Sequence, residues 1–141
     1  MNSTDEKRIA KVLSRFEGVQ AVYLFGSAAQ ERQRPDSDLD LAVVPRDDGV
    51  RKCKLDMLQE LARAGFDDVD LVFIDGRDAV LRFHAVRHNR LLYRTLDFDH
   101  PGYFSRTLRE YFDLQPYLSL HQAAYRKQGT WWLTESSSSG G

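Results

Sequence analysis

Between Asp38 and Val43 the chain alternates without a break, with carboxylates at 38 and 40 and Leu39, Leu41 and Val43 between and after them. Side chains on a strand point to opposite faces with period two, so one face carries Asp38 and Asp40 and the other is apolar. An amphipathic helix has no such pattern. The segment 38–44 is therefore a strand whose apolar face meets a core, and Pro45 ends it. Two more apolar segments, 19–25 and 69–74, read as strands, and Leu91-Leu92-Tyr93 as a short fourth.

Helical stripes lie between these strands. Ser3-Thr4-Asp5-Glu6 fits a capping box, Ile9, Val12, Leu13 and Phe16 recur at helical spacing, and Gly18 stops the run. Val50, Cys53, Met57, Leu58 and Leu61 form a second stripe that ends at Gly65. Segments 27–33 and 78–88 are predicted helical. So is 101–127, where Pro116 predicts a kink or break. The fold class expected is α/β: a short mixed sheet with helices packed on one face, plus a C-terminal helical segment. The chain divides into a core over 1–95, a helical segment over 96–130 that packs on the core and is a candidate docking element, and a Ser/Gly-rich tail over 131–141 read as disordered.

With 141 residues the chain supports one core. Its 20 basic and 21 acidic residues give a net charge of −1, which excludes the basic footprint needed to grip long nucleic acid. Cys53 is the single cysteine, so no intrachain disulfide forms and a reducing compartment suits the chain. The polar start Met-Asn-Ser-Thr-Asp-Glu carries no apolar signal region, and no apolar run is long enough to cross a bilayer. The expectation is a soluble cytoplasmic protein that binds no membrane.

The chemistry concentrates at the ends of the predicted strands. Gly26-Ser27 follows the first, and a Gly-Ser turn can bring backbone N–H groups and a hydroxyl up to a phosphate. Asp38 and Asp40 follow ten residues later on one strand face. Asp70 interrupts the apolar run 69–74, where a charge is costly unless paired or bound to metal. If the strands 38–44 and 69–74 are neighbours, three carboxylates meet. Three such groups suit a two-metal displacement on a nucleoside triphosphate with Mg²⁺, in which Asp70 also helps take a hydroxyl proton. Asp36-x-Asp38-x-Asp40 is not a Ca²⁺ loop, because the sixth and twelfth places hold Leu41 and Asp47 in place of Gly and Glu. His84 and His88 have a metal-ligand spacing, but Ala85 stands where a zincin helix carries Glu, so structural histidines are the default. Cys53 lies on its helix's apolar stripe and reads as core, and Asp75 and Asp78 read as caps of the next helix.

Gly26-Ser27, the ten-residue gap, Asp38-x-Asp40 and the later Asp70 resemble the signature of the DNA polymerase beta-like nucleotidyltransferase superfamily. The small size and Pro35-Asp36-Ser37-Asp38-Leu39-Asp40-Leu41 are similar to its minimal nucleotidyltransferases (MNT). Leu108-Arg109-Glu110-Tyr111-Phe112-Asp113-Leu114 resembles the C-terminal helix of MNT proteins paired with HEPN-domain toxins. The resemblance implies catalytic and metal-binding roles for Asp38, Asp40 and Asp70, with Gly26 and Ser27 on the triphosphate. It also implies two Mg²⁺ ions, ATP as substrate, and AMP transfer to a tyrosine of a HEPN ribonuclease toxin, which silences it. The chain departs from the pattern at Gln30 and Glu31, where many members have Arg and Gly.

Two other functions compete. One is nucleotidyl transfer to a small molecule such as an aminoglycoside, for which the segment after the third carboxylate strand is short. The other is a non-catalytic antitoxin that neutralises its toxin by covering it. The C-terminal third is rich in aromatics. Helix packing on the sheet is the plain reading of Phe104, Leu108, Tyr111 and Phe112. The adjacent Trp131-Trp132 cannot both face inward, and so they point to docking of a partner or a second copy.

Overall fold

The computed structural model describes residues 3–26, 39–74 and 78–127, with 117–127 described by backbone only. Two compact units divide the chain, residues 1–107 and 108–141. Helix α1 (Ser3–Leu13) leads to strand β1 (Val19–Phe25), and β2 is Leu39–Pro45. A 3-10 helix (Asp48–Cys53) runs into α2 (Lys54–Arg63), followed by β3 (Val69–Phe73), α3 (Ala79–Val86), β4 (Leu91–Arg94) and α4 (His100–Lys127).

Among the described residues four strands form one mixed sheet in the order β3-β2-β1-β4. β1 pairs antiparallel with both β2 and β4, and β2 pairs parallel with β3. Strand β2 is therefore central, and its alternation sets the layering. Leu39, Leu41 and Val43 face a cluster with Ile9 and Leu13 of α1 and Met57 and Leu61 of α2. The expected cover of one sheet face by helices is thus present. The structure extends it: Ala42 and Val44, on the carboxylate side of β2, join Tyr23, Ile74, Ala85, Val86 and Phe98 in a second cluster. The sheet is consequently buried on both sides along much of its length, and Asp40 sits toward one end of the second face.

Local deviations from the expected elements have simple causes. Helix α1 begins at Ser3 itself and ends at Leu13, with Phe16 in the turn that follows and still packed against the first cluster. The stripe beginning at Val50 opens as a 3-10 turn, because Asp47 caps the Gly49 N–H at 2.9 Å. Helix α4 continues through Pro116. The predicted helix over 27–33 and the tail over 131–141, with Trp131 and Trp132, lie outside the described residues.

A polar chain fastens the second cluster. Fully buried Tyr23 on β1 donates its hydroxyl to His100 Nδ1 at 2.8 Å, and His100 Nε2 donates to Asn89 Oδ1 at 2.8 Å. These roles fit the neutral imidazole with its proton on Nε2. Asn89 has φ +55°, a left-handed conformation that asparagine tolerates and that ends the turn after α3. Burial, and then the neighbouring Tyr103, raises the Tyr23 hydroxyl pKa above its usual value, so it stays a donor. One side chain thus ties β1 to the start of α4 and the end of α3. No helix among the described residues is long and apolar enough to cross a membrane.

Leu41 is fully buried and Leu96 is 98% exposed. Leu41→Ala is expected to cost about 2–5 kcal/mol in urea unfolding. Leu96→Ala is expected to stay within about 0.5 kcal/mol by the same measurement.

Candidate functional site

Strand register brings the site together. Across the antiparallel pair, Phe25 at the end of β1 stands opposite Asp40, and across the parallel pair Asp40 stands beside Asp70. Neighbouring strands lie about 4.8 Å apart, so Asp40 and Asp70 share one face as adjacent carboxylates. Like charges so placed repel unless a cation lies between them or one takes a proton. Asp40 is half-buried. Asp70 is exposed, because β3 is an edge strand. Solvent therefore reaches the Asp70 charge, and the burial cost expected from its apolar sequence neighbours does not arise.

Gly26 closes the arrangement. It follows β1 with φ +72°, in the left-handed region where a side chain is strained. A Cβ built there would lie 2.1 Å from Asp40 Oδ2 and 3.0 Å from its Cγ. Glycine is thus required twice over, once by the backbone and once by the carboxylate packed against it. That contact has no trace in the sequence beyond the glycine itself.

Of the residues expected at the site, the structure brings Gly26, Asp40 and Asp70 to one end of the sheet. Ser27 and Asp38 lie outside the described residues, as do Asp36, Asp75 and the departures Gln30 and Glu31. The donors that are described fit a hard divalent cation. They are adjacent carboxylate oxygens, one of them solvent-facing, at a spot that a glycine keeps clear of a side chain. Among the described residues no group of three ligating side chains assembles.

The other candidates resolve as structural. Asp78 accepts the Leu81 N–H at 3.0 Å and caps α3. His84 packs edge-on to Phe83, with ring centroids 5.7 Å apart. Burial and the nearby Arg87 lower its pKa from the usual histidine value, and the same two causes lower that of His88. Cys53 packs against the first cluster. Phe104 packs against the second cluster as expected, and Tyr103 joins it there.

Residues 7–97 match the family model described as "Polymerase beta, Nucleotidyltransferase". The protein adenylyltransferase MntA of Shewanella oneidensis is 33% identical over 116 residues, which is 82% of this chain and 83% of the relative. A toxin–antitoxin crystal structure with AMP-PNP is 31% identical with a TM-score of 0.66, over 86% of this chain and 96% of that one. A complex of the tri-AMPylated Shewanella oneidensis HEPN toxin with its MNT antitoxin is 28% identical with a TM-score of 0.63, over 90% of this chain and 98% of that one.

Gly26→Ala is expected to destabilise the fold. The left-handed backbone alone contributes about 1–2 kcal/mol, and the clash with Asp40 adds to it. Adding Asp40→Ala should recover the steric part and leave the backbone part, a split that a double-mutant cycle in urea reads directly.

Proposed function

The chain belongs to the polymerase beta nucleotidyltransferase family, and from that premise we propose that it is an antitoxin that transfers AMP from ATP to a hydroxyl of a HEPN-domain toxin, with tyrosine as the acceptor. The observation that carries this reading is the in-register pair Asp40 and Asp70 beside Gly26, in a chain 33% identical to a protein adenylyltransferase. Cytoplasmic residence follows from an ATP-using enzyme acting on an intracellular ribonuclease.

In this reading Asp38, Asp40 and Asp70 would hold two Mg²⁺ ions, which when bound offset the triphosphate charge and lower the pKa of the acceptor hydroxyl. The chain's own groups do the rest. Gly26, having no side chain, lets the Asp40 carboxylate approach the β1 terminus, and Ser27, next in the chain, would orient the phosphates. The acceptor oxygen forms a bond to the α-phosphorus, and the bond from that phosphorus to the bridging oxygen of the β-phosphate breaks. Pyrophosphate leaves with the electron pair. The hydroxyl proton passes to the exposed Asp70 carboxylate and on to water.

Residues 96–130 form the segment proposed to dock the toxin. The exposed Phe112 and Leu114 support this, since large apolar groups left in solvent on a helix mark candidate anchors.

Label transfer from α-labelled ATP to the co-purified toxin tests the reading. Asp40→Asn is expected to remove transfer by at least about 10²-fold, on the scale of losing one group aimed at the transition state. Asp70→Asn should slow transfer severely while sparing part of the ATP binding. If both variants neutralise the toxin as the parent does without labelling it, transfer is not the means of neutralisation.

A further inference from the structure

Among the described residues Asn89 alone, apart from glycines, has a left-handed backbone, with φ +55°. Such a conformation is disfavoured and persists where surrounding contacts hold it, often at a binding site. Its side chain also ends a hydrogen-bond chain whose direction is set from the buried end. Tyr23 is fully buried and its hydroxyl meets His100 Nδ1, so the hydroxyl must donate there to avoid an orphaned donor. A neutral imidazole that accepts at Nδ1 carries its proton on Nε2, and that N–H donates to Asn89 Oδ1. The carboxamide oxygen of Asn89 is thereby turned toward His100, and its NH₂ group, with two donors, is turned away. Asn89 is exposed, and nothing among the described residues accepts from those donors.

The topology brings this amide to the carboxylate end of the sheet. Helix α3 packs Ala85 and Val86 into the cluster that holds Ala42, and runs back from the end of β3 to the start of β4. There β4 meets the end of β1: Leu91 pairs with Tyr23, and the Arg90 carbonyl accepts the Leu24 N–H at 2.9 Å. Asn89 therefore comes level with the last residues of β1, next to Gly26. Its side chain lies on the face of Tyr23 and Asp40, where it meets His100. Across the sheet the row runs Asp70 on β3, Asp40 on β2, Gly26 after β1, and Asn89 at the head of β4. Two strand spacings, roughly 10 Å, separate Asn89 from Asp40.

An in-line displacement orders its groups along the same row. With the acceptor hydroxyl at Asp70 and the α-phosphate at Asp40, the leaving oxygen lies on the opposite side, toward β1 and β4. The outer phosphates of the nucleotide extend from there. We propose that Asn89 is a nucleotide-binding residue whose carboxamide NH₂ donates to the β- or γ-phosphate of ATP, an assignment that rests on the proposed AMP transfer. A phosphate oxygen is a charged acceptor, which strengthens such a bond, and the same contact would hold the leaving pyrophosphate.

Calorimetric titration of AMP-PNP with Mg²⁺ into the full-length protein tests the assignment. Asn89→Gly suits the left-handed backbone and deletes the amide. Asn89→Asp tolerates that backbone, still accepts from His100, and replaces the two donors with a negative charge. Both variants are expected to keep the parent's urea midpoint, so that a change in binding is not a change in folding. Asn89→Gly should weaken AMP-PNP about fivefold or more, the scale of one hydrogen bond to a charged group, and Asn89→Asp should weaken it further. If Asn89 serves only to end the turn after α3, Asn89→Gly binds as the parent does. Binding within about twofold of the parent in either folded variant would overturn the assignment. A parent that binds no AMP-PNP overturns the AMP-transfer reading as well. A parent that labels the toxin, with variants that bind AMP-PNP equally, overturns this assignment alone.

Discussion

Everything about the site depends on the register of β2 between β1 and β3. A strand's side chains alternate, so a slip of one residue would carry Asp40 into the cluster of Ile9, Leu13 and Met57 and expel Leu39 and Leu41. Burial of three apolar side chains on one face therefore fixes the direction of Asp40 on the other. The same register puts Asp40 beside Asp70 and opposite Phe25, one residue from Gly26. Stability and chemistry are set by one pairing and do not compete for residues.

The second face shows how such a strand serves two environments. Toward one end Asp40 is half-buried beside the exposed Asp70. Further along, Ala42 and Val44 are covered by α3 and by the segment around Phe98. The buried Tyr23 ring lies against Phe98, His100 and Tyr103, and its hydroxyl is satisfied through His100 and Asn89. A large polar-tipped residue at that place is tolerated because its one donor has a partner, which avoids the cost of an orphaned hydroxyl.

Much of this was legible in the residues. The alternation over 38–44 announces β2 and its two faces, and Gly18, Gly65 and Asp78 mark turns and a cap from local chemistry alone. The adjacency of Asp40 and Asp70 was legible only conditionally. Periodicity shows that each lies on a strand, while strand order is a tertiary property. The clash that makes Gly26 obligatory was hidden, since sequence carries no φ angle. The exposure of Asp70 is hidden for a related reason: apolar sequence neighbours do not reveal that a strand is at the sheet's edge. The chain of Tyr23, His100 and Asn89 gathers residues from separate elements, and no spacing rule connects them.

The central claim is that Asp40 and Asp70 together hold the divalent cation that serves nucleotidyl transfer. Crystals grown with Mn²⁺ and a non-hydrolysable ATP analogue test it through anomalous scattering, since Mn²⁺ shares the oxygen preference of Mg²⁺. The account predicts an anomalous peak within about 2.0–2.3 Å of carboxylate oxygens from both residues. Nucleotide bound with Mn²⁺ elsewhere, touching neither carboxylate, would contradict it.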